Sequence, residues 1–466
     1  MGEPLVQQIG RRNLLLACAA GGAAVALVSN ARLGISRPIE QGELPTVKAF
    51  GAVGDGVTDD SPAFRRAADA ADTIRIPAGT YRADSSIALK QGQLVAFDAG
   101  VVIRAGALMD SAVLDADGVD GVQIIGNGAV IDLNEKTDKA IRISGSKSRP
   151  NRRCRVSGIS VIGRSLTTDP GTASSAIELT HLDGVVASDI QVDGYAHKNA
   201  RDAEQGYSVG LFHCINPQLN ALRVTNANVG LEIFNCQNVQ VSQFTIRDCI
   251  DNGVYILSGS TSVTLLQGLI DNCEEGVVIR SDNVTLSNVS ITNCTNKGVS
   301  LRTGRRGKIN FCHFERNRVH IGDDREGERT ANLSVRETTF RNAAEAAISL
   351  MATTDSEFDG LDVQDSSASY KGGLIRLSNA SRCSIRNSRF NNPGKSVPII
   401  IRLSNATADA IIAGNIFVEA DTAIELFDIA GRHPKNTQIL DNTFLSVNTP
   451  VRQSQAVTGT VERPDR

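Results

Sequence analysis

Short stretches in which hydrophobic and polar residues alternate, separated by Asn, Asp and Gly, recur along most of the chain. From about residue 119 to residue 453 the same unit returns, so that VQVSQFTIRDCIDNGVYI at residues 239–256 matches VTLSNVSITNCTNKGVSL at residues 284–301. Alternation with period two indicates strands, and the polar residues between them indicate turns. A self-similar period of roughly 25 residues predicts a solenoid of stacked coils.

The pattern predicts an all-β, single-stranded parallel β-helix. The repeated units contain no amphipathic helix, which argues against a helical solenoid. Each coil should contribute about three short strands that stack on the next coil at about 4.8 Å. Val, Ile, Leu and Phe are expected to point inward, and Cys249, Cys273 and Cys294, which share one phase of three coils, are expected to stack inside.

The segment before the coils predicts a short N-terminal cap. Ser61 followed by Pro62 is a typical start of a helix, with Ser61 as the N-cap. Residues 73–81 indicate a strand, a turn and a second strand. The tandem Asp59 and Asp60 are interpreted as a turn and helix-start device. Such a segment would cover the apolar end that an open solenoid exposes.

The composition excludes several functional classes. The 466 residues include 48 Lys and Arg against 51 Asp and Glu, so the net charge of −3 gives no electrostatic reason to bind nucleic acid. Beyond the N-terminus, no apolar run reaches the roughly 20 residues that a membrane-spanning helix needs. We therefore expect no nucleic-acid partner, and no membrane span once the N-terminus is removed.

The N-terminus resembles an export signal. Arg11 and Arg12 precede a small-residue apolar stretch that ends at Val28, and Ser29-Asn30-Ala31 is a candidate cleavage site. A short membrane anchor and a buried helix are the alternatives. The predicted organisation is a twin-arginine signal peptide at residues 1–31, a cap with the first coils at 32–118, β-helix repeats at 119–453 and a tail at 454–466. The expected location is periplasmic or secreted.

The segment FGAVGDGVTDD at residues 50–60, with IPAGTY at 76–81, resembles the N-terminal signature of the pectate lyase superfamily. The resemblance covers residues 47–134 and includes polygalacturonase-like members. It implies a right-handed β-helix and a polysaccharide substrate. The catalytic motifs of polygalacturonases and alginate epimerases have no convincing counterpart here, so the resemblance assigns no catalytic residue.

Candidate site residues follow from the alternation in the unit Gly-Val-x-Ile-y, in which x and y should point outward. Position x includes Glu178, Gly210, Glu232, Tyr255 and His320, whereas position y includes Phe212, Phe234, Arg280, Arg302 and Gly322. Glu178 and Glu232 would lie two rungs apart, with Gly210 leaving space between them. Their separation of roughly 9.5 Å suits the acid and base of an inverting glycosidase.

A long polar insertion at residues 191–208 is predicted to form a wall of the substrate cleft. We assign catalytic roles to Glu178, Glu232, Asp202 and His213. The predicted substrate-binding residues are Arg201, Tyr207, Tyr255, His197, Arg280 and Arg302. The alternative interpretation is a solvated loop beside exposed strand residues.

A second candidate is a basic strip that could neutralise uronate carboxylates. It consists of Arg280, Arg302, Arg305, Arg306, His313 and His320. Its alternative role is to keep a sheet face soluble. No cofactor or metal is predicted; a calcium site in the loop at residues 323–326 is the weaker alternative.

Two classes of function remain open at this stage. The first is an exported polysaccharide-active enzyme, most readily a glycoside hydrolase, with a polysaccharide lyase or epimerase as its alternative. The second is a non-catalytic β-helix that binds glycans or serves an envelope structure. A homotrimer, an assembly common among parallel β-helices, is considered for either class.

Overall fold

Parallel strands that follow one another around a right-handed coil form almost the whole structure, which confirms the predicted fold. The structure, a computed structural model, describes residues 44–109, 111–163, 174–196, 206–323, 330–364 and 372–463. These residues all belong to one compact unit, Leu44–Arg466. The predicted signal peptide lies outside the described residues.

Three long parallel sheets, which we call sheets I, II and III in the order in which a coil passes through them, run along the solenoid. Sheet I carries the candidate site. Among the described residues it has 15 strands: Ile87–Ala88, Leu114–Asp117, Ile141–Ser144, Ser174–Thr180, Gly206–Phe212, Val229–Phe234, Asn252–Ile256, Glu275–Ile279, Lys297–Leu301, Val319–Asp323, Ala346–Leu350, Ile375–Ser378, Ile399–Ser404, Thr422–Phe427 and Thr449–Gln453.

Sheets II and III are joined because several strands bend at one residue and continue from one sheet into the other. The shared strands are Gln123–Asp132, Arg155–Ile162, Val186–Asp193, Gln218–Ala227, Thr261–Asp271 and Asp282–Thr292. Strands of sheet II alone are Thr73–Ile76, Leu94–Phe97, Gln237–Ser242, Lys308–Asn310, Ser334–Arg336, Glu357–Asp359, Ser384–Arg386, Ile411–Ala413, Gln438–Leu440 and Val461–Glu462. Strands of sheet III alone are Asp55–Asp59, Gly79–Ala83, Val101–Ala105, Thr245–Cys249, His313–Glu315, Thr339–Arg341, Asp362–Gln364, Arg389–Asn391, Ile416–Val418 and Thr443–Leu445.

Short ladders lie between sheets I and II, and the helices are few. The short strands are Asn151–Arg152, Leu182–Asp183, Gly304–Arg305, Thr330–Ala331 and Thr353–Thr354. The described helices are the α-helix Ser61–Ala70 and the 3₁₀ helices Val47–Phe50 and Pro393–Lys395. Among the described residues, no helix has the length and apolar character that crossing a bilayer requires.

The N-terminal cap forms largely as predicted, with one correction. The helix begins at Ser61, and Asp60 rather than Ser61 occupies the N-cap position. Asp59 Oδ1 accepts hydrogen bonds from the backbone N–H and the hydroxyl of Ser61, at 3.0 and 2.7 Å. The Asp60 carboxylate accepts from Val53 N at 2.6 Å and Gly54 N at 3.1 Å. The tandem aspartates therefore hold the turn and the start of the helix, as expected.

The core is a continuous column of stacked apolar side chains inside the three sheets. Phe314 and Phe340 stack at 5.2 Å between ring centroids, and Phe390, Phe417 and Phe444 stack at 5.1 and 5.3 Å. All eight cysteines from Cys154 onward are buried thiols. Cys249, Cys273 and Cys294 lie at one corner of three successive coils, which confirms the predicted internal column. Beside them, Asn272 donates a hydrogen bond to Asp248 of the preceding coil at 2.6 Å.

The strand ladders extend on both sides of the predicted boundaries at residues 118 and 453. Thr73–Ile76 already pairs with Leu94–Phe97 in sheet II. At the other end, Gln438–Leu440 still pairs with Val461–Glu462. Stacked coils therefore carry the fold from the cap to the last described strand.

Candidate functional site

An open groove of about 490 Å³ lies on the outer face of sheet I and the corner that follows it. Its described lining residues combine two carboxyl groups, two imidazoles and an apolar floor: Glu178, Thr180, His181, Phe212, His213, Glu232, Phe234 and Leu257. The residues come from four successive coils, because strand pairing brings residues far apart in sequence onto neighbouring rungs. Both predicted catalytic glutamates and His213 thus line one groove.

The strand register places the two glutamates as the sequence predicted. Glu178 pairs with Gly210, and Gly210 pairs with Glu232, so the carboxyl groups are two rungs apart on one column. The prediction that Gly210 leaves space between them is wrong. A Cβ at Gly210 would lie 2.3 Å from Cε2 of Phe212 and 2.3 Å from Ser175 Oγ. The Phe212 ring therefore covers the glycine and forms the floor between the two acids.

The two carboxyl groups have different surroundings. Glu178 Oε2 lies 2.7 Å from Nζ of Lys139, and its side chain keeps 18% of its exposure. Glu232 is only 3% exposed. On the rung before Glu178, Arg142 binds Asp115 through two hydrogen bonds of 2.8 and 2.5 Å. One acid is thus ion-paired at the rim and the other is enclosed, which is the kind of difference that divides acid and base roles in paired carboxylates.

A column of residues at the corner after sheet I forms the polar side of the groove. His181, His213 and Asn235 occupy this corner in three successive coils, each with left-handed backbone at φ of 52°, 55° and 52°. The imidazoles of His181 and His213 stack with centroids 4.6 Å apart and an interplanar angle of 9°. Asn235 Nδ2 lies 2.7 Å from His213 Nδ1. Burial, together with the neighbouring His213 and Lys147, lowers the pKa of His181.

Beside the groove, an outer apolar cluster covers part of sheet I. It consists of Tyr207, Val229, Tyr255 and Val278, with Phe212 and Leu257 packed against it. Tyr207 and Tyr255, both predicted to bind substrate, are only 5% and 3% exposed. Arg280 lies over the Tyr255 ring at 5.4 Å. These three residues therefore support the groove floor from one side, and they do not line the groove.

The predicted basic strip is not formed. Arg302 Nη2 binds the buried Glu275 at 2.8 Å, and Lys297 also reaches that carboxylate at 3.5 Å. His313 lies on sheet III, where it pairs with Ser290. His320 is fully buried.

The His320 error has a cause in the register. Ser300 of position x pairs with Gly322, so Gly322 and not His320 continues the column. The predicted register of this coil is therefore wrong by two residues. His320 stands at the place of Gly298, where the chain enters the strand and a Cβ points towards Phe314 in the core. Arg305 and Arg306 lie at the corner after sheet I, and Arg305 N donates to Asp282 Oδ1 at 2.8 Å.

The predicted cleft wall and calcium loop fall partly outside the described residues. His197, Arg201 and Asp202 lie outside them, as do residues 324–326 of the calcium loop. Tyr195 points into the core and donates a hydrogen bond to Asp138 O at 2.7 Å. Asp323 Oδ2 accepts a hydrogen bond from Met351 N at 2.6 Å. In the described part of the chain, no group of three or more His, Cys, Asp or Glu side chains could hold a metal ion.

Sequence reasoning missed His181 and Asn235, and it gave Phe212 and Phe234 no role in the site. The signal was present in the repeat. His181 follows Thr180, His213 follows Phe212 and Asn235 follows Phe234, each one residue after position y in successive coils. These three residues form a column at the corner after the strand, just as positions x and y form columns on the strand.

The comparisons with known proteins define the class and then the family. Residues 229–390 match the family described as the right handed beta helix region. Residues 46–300 match the family described as rhamnogalacturonase A/epimerase, pectate lyase-like. Because this second match covers more than half of the chain, the protein belongs to the rhamnogalacturonase A/epimerase, pectate lyase-like family. This match confirms the resemblance to the pectate lyase superfamily that residues 47–134 indicate.

Individual relatives are distant. The chain is 26% identical to the pre-neck appendage protein of Bacillus phage B103 over 53% of its own length, but spans only 28% of that protein. A tailspike protein mutant of E. coli bacteriophage HK620, in complex with a pentasaccharide, covers 87% of this chain and 78% of its own, with 10% identity and a TM-score of 0.59. An exopolygalacturonase of Thermotoga maritima covers 69% of this chain and 91% of its own, with 12% identity and a TM-score of 0.49.

Proposed function

We propose that the protein is an exported, polysaccharide-active β-helix protein that binds a glycan in the groove and hydrolyses it with Glu178 and Glu232. The observation that carries the proposal is the combination, in one groove, of two carboxyl groups and the aromatic floor of Phe212 and Phe234. The C–H faces of sugar rings are apolar and pack on such a floor, while polar groups at the rim bind hydroxyls. The family and the pentasaccharide complex of the tailspike relative support a glycan ligand.

The proposed reaction is an inverting hydrolysis. Two rungs of a parallel sheet separate the glutamates by roughly 9.5 Å, at the upper end of the spacing that leaves room for a water molecule. One carboxyl group donates its proton to the glycosidic oxygen as the bond to the anomeric carbon breaks. The other accepts a proton from the water whose oxygen bonds to that carbon. The different surroundings of Glu178 and Glu232 suit this division of roles.

A panel of neutral and uronic-acid polysaccharides tests the hydrolase. New reducing ends without ultraviolet absorbance of an unsaturated sugar indicate hydrolysis, whereas that absorbance indicates a lyase. Glu178→Gln and Glu232→Gln should each lower kcat by about 100-fold or more. The control Glu357→Gln removes an exposed glutamate of sheet II that pairs with Arg336 and should leave activity unchanged. Activity that survives both groove substitutions would contradict the site.

Glycan binding without cleavage is the second candidate, and one observation favours it. The Phe212 ring lies over Gly210, between the two acids, where the attacking water of a hydrolase would need access. If the protein only binds glycans, calorimetry should detect binding of oligosaccharides, and prolonged incubation should release no product. Phe212→Ala should then abolish binding, whereas Glu178→Gln should weaken it only moderately.

Export is proposed from Arg11 and Arg12 and the apolar stretch after them. Replacing both arginines by lysine should retain the protein in the cytoplasm of a bacterial host, because the twin-arginine pathway recognises its substrates by the arginine pair. Fractionation of cells that express the full chain measures this. We also propose a homotrimer, because trimers are common among parallel β-helices. Light scattering should then give three times the mass of one chain.

A further inference from the structure

A second open groove, of about 570 Å³, lies at the corner between sheets II and III. Glu337, Gly360 and Asn387 form its centre, because the strand register stacks them at this corner in three successive coils. The carboxylate of Glu337 reaches across the bare glycine, since a Cβ at Gly360 would lie 2.6 Å from Glu337 Oε1. The groove is thus built around a polar corner and is separate from sheet I, which carries the candidate site.

The wall of this groove on sheet III carries planar polar side chains at regular intervals. Arg341, Gln364 and Asn391 pair in register on three successive strands, which lie about 4.8 Å apart. Beside them, Asp362 pairs in register with Arg389 and is ion-paired with Arg341. In the described part of the chain, the side chains of Gln364, Arg389 and Asn391 make no hydrogen bond or ion pair. Their donors and acceptors are therefore open to a ligand.

An exposed aromatic ring stands at the same corner, one coil before Glu337. Phe311 is 61% exposed, and the strand register places it next to Glu337. Its backbone is left-handed, with φ of 54°, and among the described residues no other phenylalanine or tyrosine has such a backbone. A bulky residue in this region has a conformational cost, which Phe311 is too exposed to offset by packing in the core. The strain therefore indicates a role outside the fold.

We propose that Phe311 and the adjoining groove form a second, non-catalytic site that holds a glycan chain. The apolar C–H face of one sugar would pack on the Phe311 ring, and the amides of Gln364 and Asn391 would bind hydroxyl groups of the following sugars. Each amide offers donors and an acceptor side by side, which suits a pair of neighbouring hydroxyls. The inference goes beyond the proposed function, because it requires neither cleavage nor binding on sheet I, and the two share only the class of ligand.

A contact between copies of the chain is the competing use of an exposed ring. The centre of such an interface is depleted of charged residues and rich in apolar ones. The groove beside Phe311 is lined instead by carboxylates, amides and guanidinium groups. These surroundings favour a glycan, and a contact between subunits becomes an outcome of the test.

The strain at Phe311 can be tested without a ligand. Phe311→Gly should raise the denaturant midpoint of unfolding, because glycine adopts the left-handed backbone without cost. The matched control is Ala221→Gly, at the same corner four coils earlier with φ of 55°, which should also raise the midpoint. An unchanged or lower midpoint in Phe311→Gly would show that the ring supports the fold, and it would overturn the assignment.

Glycan binding can be measured by affinity electrophoresis in native gels that contain polygalacturonate, alginate, galactomannan or dextran. All proteins compared carry Glu178→Gln and Glu232→Gln, so that hydrolysis does not remove the polymer. In this background, Phe311→Gly should weaken binding of the retarding polymer by about tenfold. The double change Gln364→Ala, Asn391→Ala should weaken it by about tenfold as well.

Two control variants match these changes. Ala221→Gly alters the same corner without removing a ring, and Gln240→Ala removes an amide that is exposed on sheet II. Both should be retarded to the same extent as the background protein. A loss of binding in either control would show that the measurement reports the fold and would overturn the site.

The outcomes separate this inference from the proposed function. Binding that is lost in Phe212→Ala but unchanged in Phe311→Gly overturns the second site and leaves the groove on sheet I. The reverse pattern overturns the groove on sheet I and leaves the second site. A lower mass of Phe311→Gly in light scattering, with unchanged glycan binding, assigns the ring to a subunit contact and overturns the inference. If no polymer retards the background protein, both sites are overturned.

Discussion

The side chain of His320 lies inside the solenoid, with its ring beside the stacked rings of Phe314 and Phe340, 5.9 and 5.6 Å from their centroids. Asn317 Nδ2 donates to its Nδ1 at 3.0 Å. Burial lowers the pKa of His320 to about 3, and His313 adds to that effect, while a backbone contact with Arg341 opposes it. The unfolded chain therefore binds a proton on this residue at higher pH than the folded chain.

Acid should destabilise the protein through His320. As pH falls from 6.5 towards 3, this residue should remove about 1.4 kcal/mol of stability per pH unit, because only the unfolded state gains the proton in that window. Above pH 6.5 the contribution of His320 to the free energy of unfolding should not change with pH. Thermal melts of wild type and His320→Phe across this range measure the difference. Equal pH slopes for the two proteins would contradict the buried neutral imidazole.

Gly210→Ala should disable the groove without unfolding the protein. The new Cβ would lie 2.3 Å from the Phe212 ring, so the ring must leave the floor between the two glutamates. Glycan affinity should fall by about tenfold or more, and stability by about 1–3 kcal/mol. Gly322→Ala is the matched control on the same column, since its nearest contact would be 3.2 Å. Unchanged glycan affinity in Gly210→Ala would show that Phe212 is not the floor.

At the scale of the element, the bend between sheets II and III depends on one left-handed residue per coil. Glycine occupies this corner at Gly158, Gly360 and Gly414, whereas Ala221 adopts φ of 55° there. A residue with a Cβ pays a conformational cost in this region that glycine avoids.

Ala221→Gly should therefore stabilise the protein by about 1 kcal/mol, despite the greater freedom of glycine in the unfolded chain. The denaturant midpoint of unfolding measures this. Ala413→Gly is the control, because Ala413 lies within the strand Ile411–Ala413 and the same change should destabilise there by about 0.5–1 kcal/mol. A loss of stability in both variants would contradict the strain at Ala221.

The strand repeat was sufficient to predict the coil, the column of Glu178, Gly210 and Glu232, and the internal cysteines. These features depend only on the two-residue alternation and the strand spacing, which the sequence displays directly. The Phe212 ring over Gly210 could not be predicted, because it depends on a side-chain rotamer. His320 was placed on the wrong face because Val319-His320-Ile321-Gly322 resembles the Val-x-Ile-y unit but begins two residues early, and alternation alone gives no absolute register.

At the scale of the whole molecule, each coil contacts mainly the coil before and the coil after it. Stability in such a solenoid is a sum of local and nearest-neighbour contributions, so damage should remain local. The column of Phe390, Phe417 and Phe444 offers a test, because Phe417 is fully buried between two stacked rings.

Phe417→Ala should lower the free energy of unfolding of the neighbouring coils by about 3–5 kcal/mol. Hydrogen exchange should accelerate in residues 384–445, while residues 218–292, several coils away, exchange as in the wild type. Phe311→Ala, which truncates a phenylalanine that is 61% exposed, should change neither region. A uniform acceleration along the whole chain would show that the solenoid unfolds as one cooperative unit.

The single-residue corners between sheets II and III also bear on how this gene can vary. Deleting one codon within Gln218–Ala227 would reverse the direction of each side chain between the deletion and the next corner. Inward residues would then point outward, and outward residues inward. Duplication or loss of a whole coil would not change which side chains of the neighbouring coils point inward. We therefore expect related genes to differ in length by complete coils and by insertions at corners, with strands of constant length.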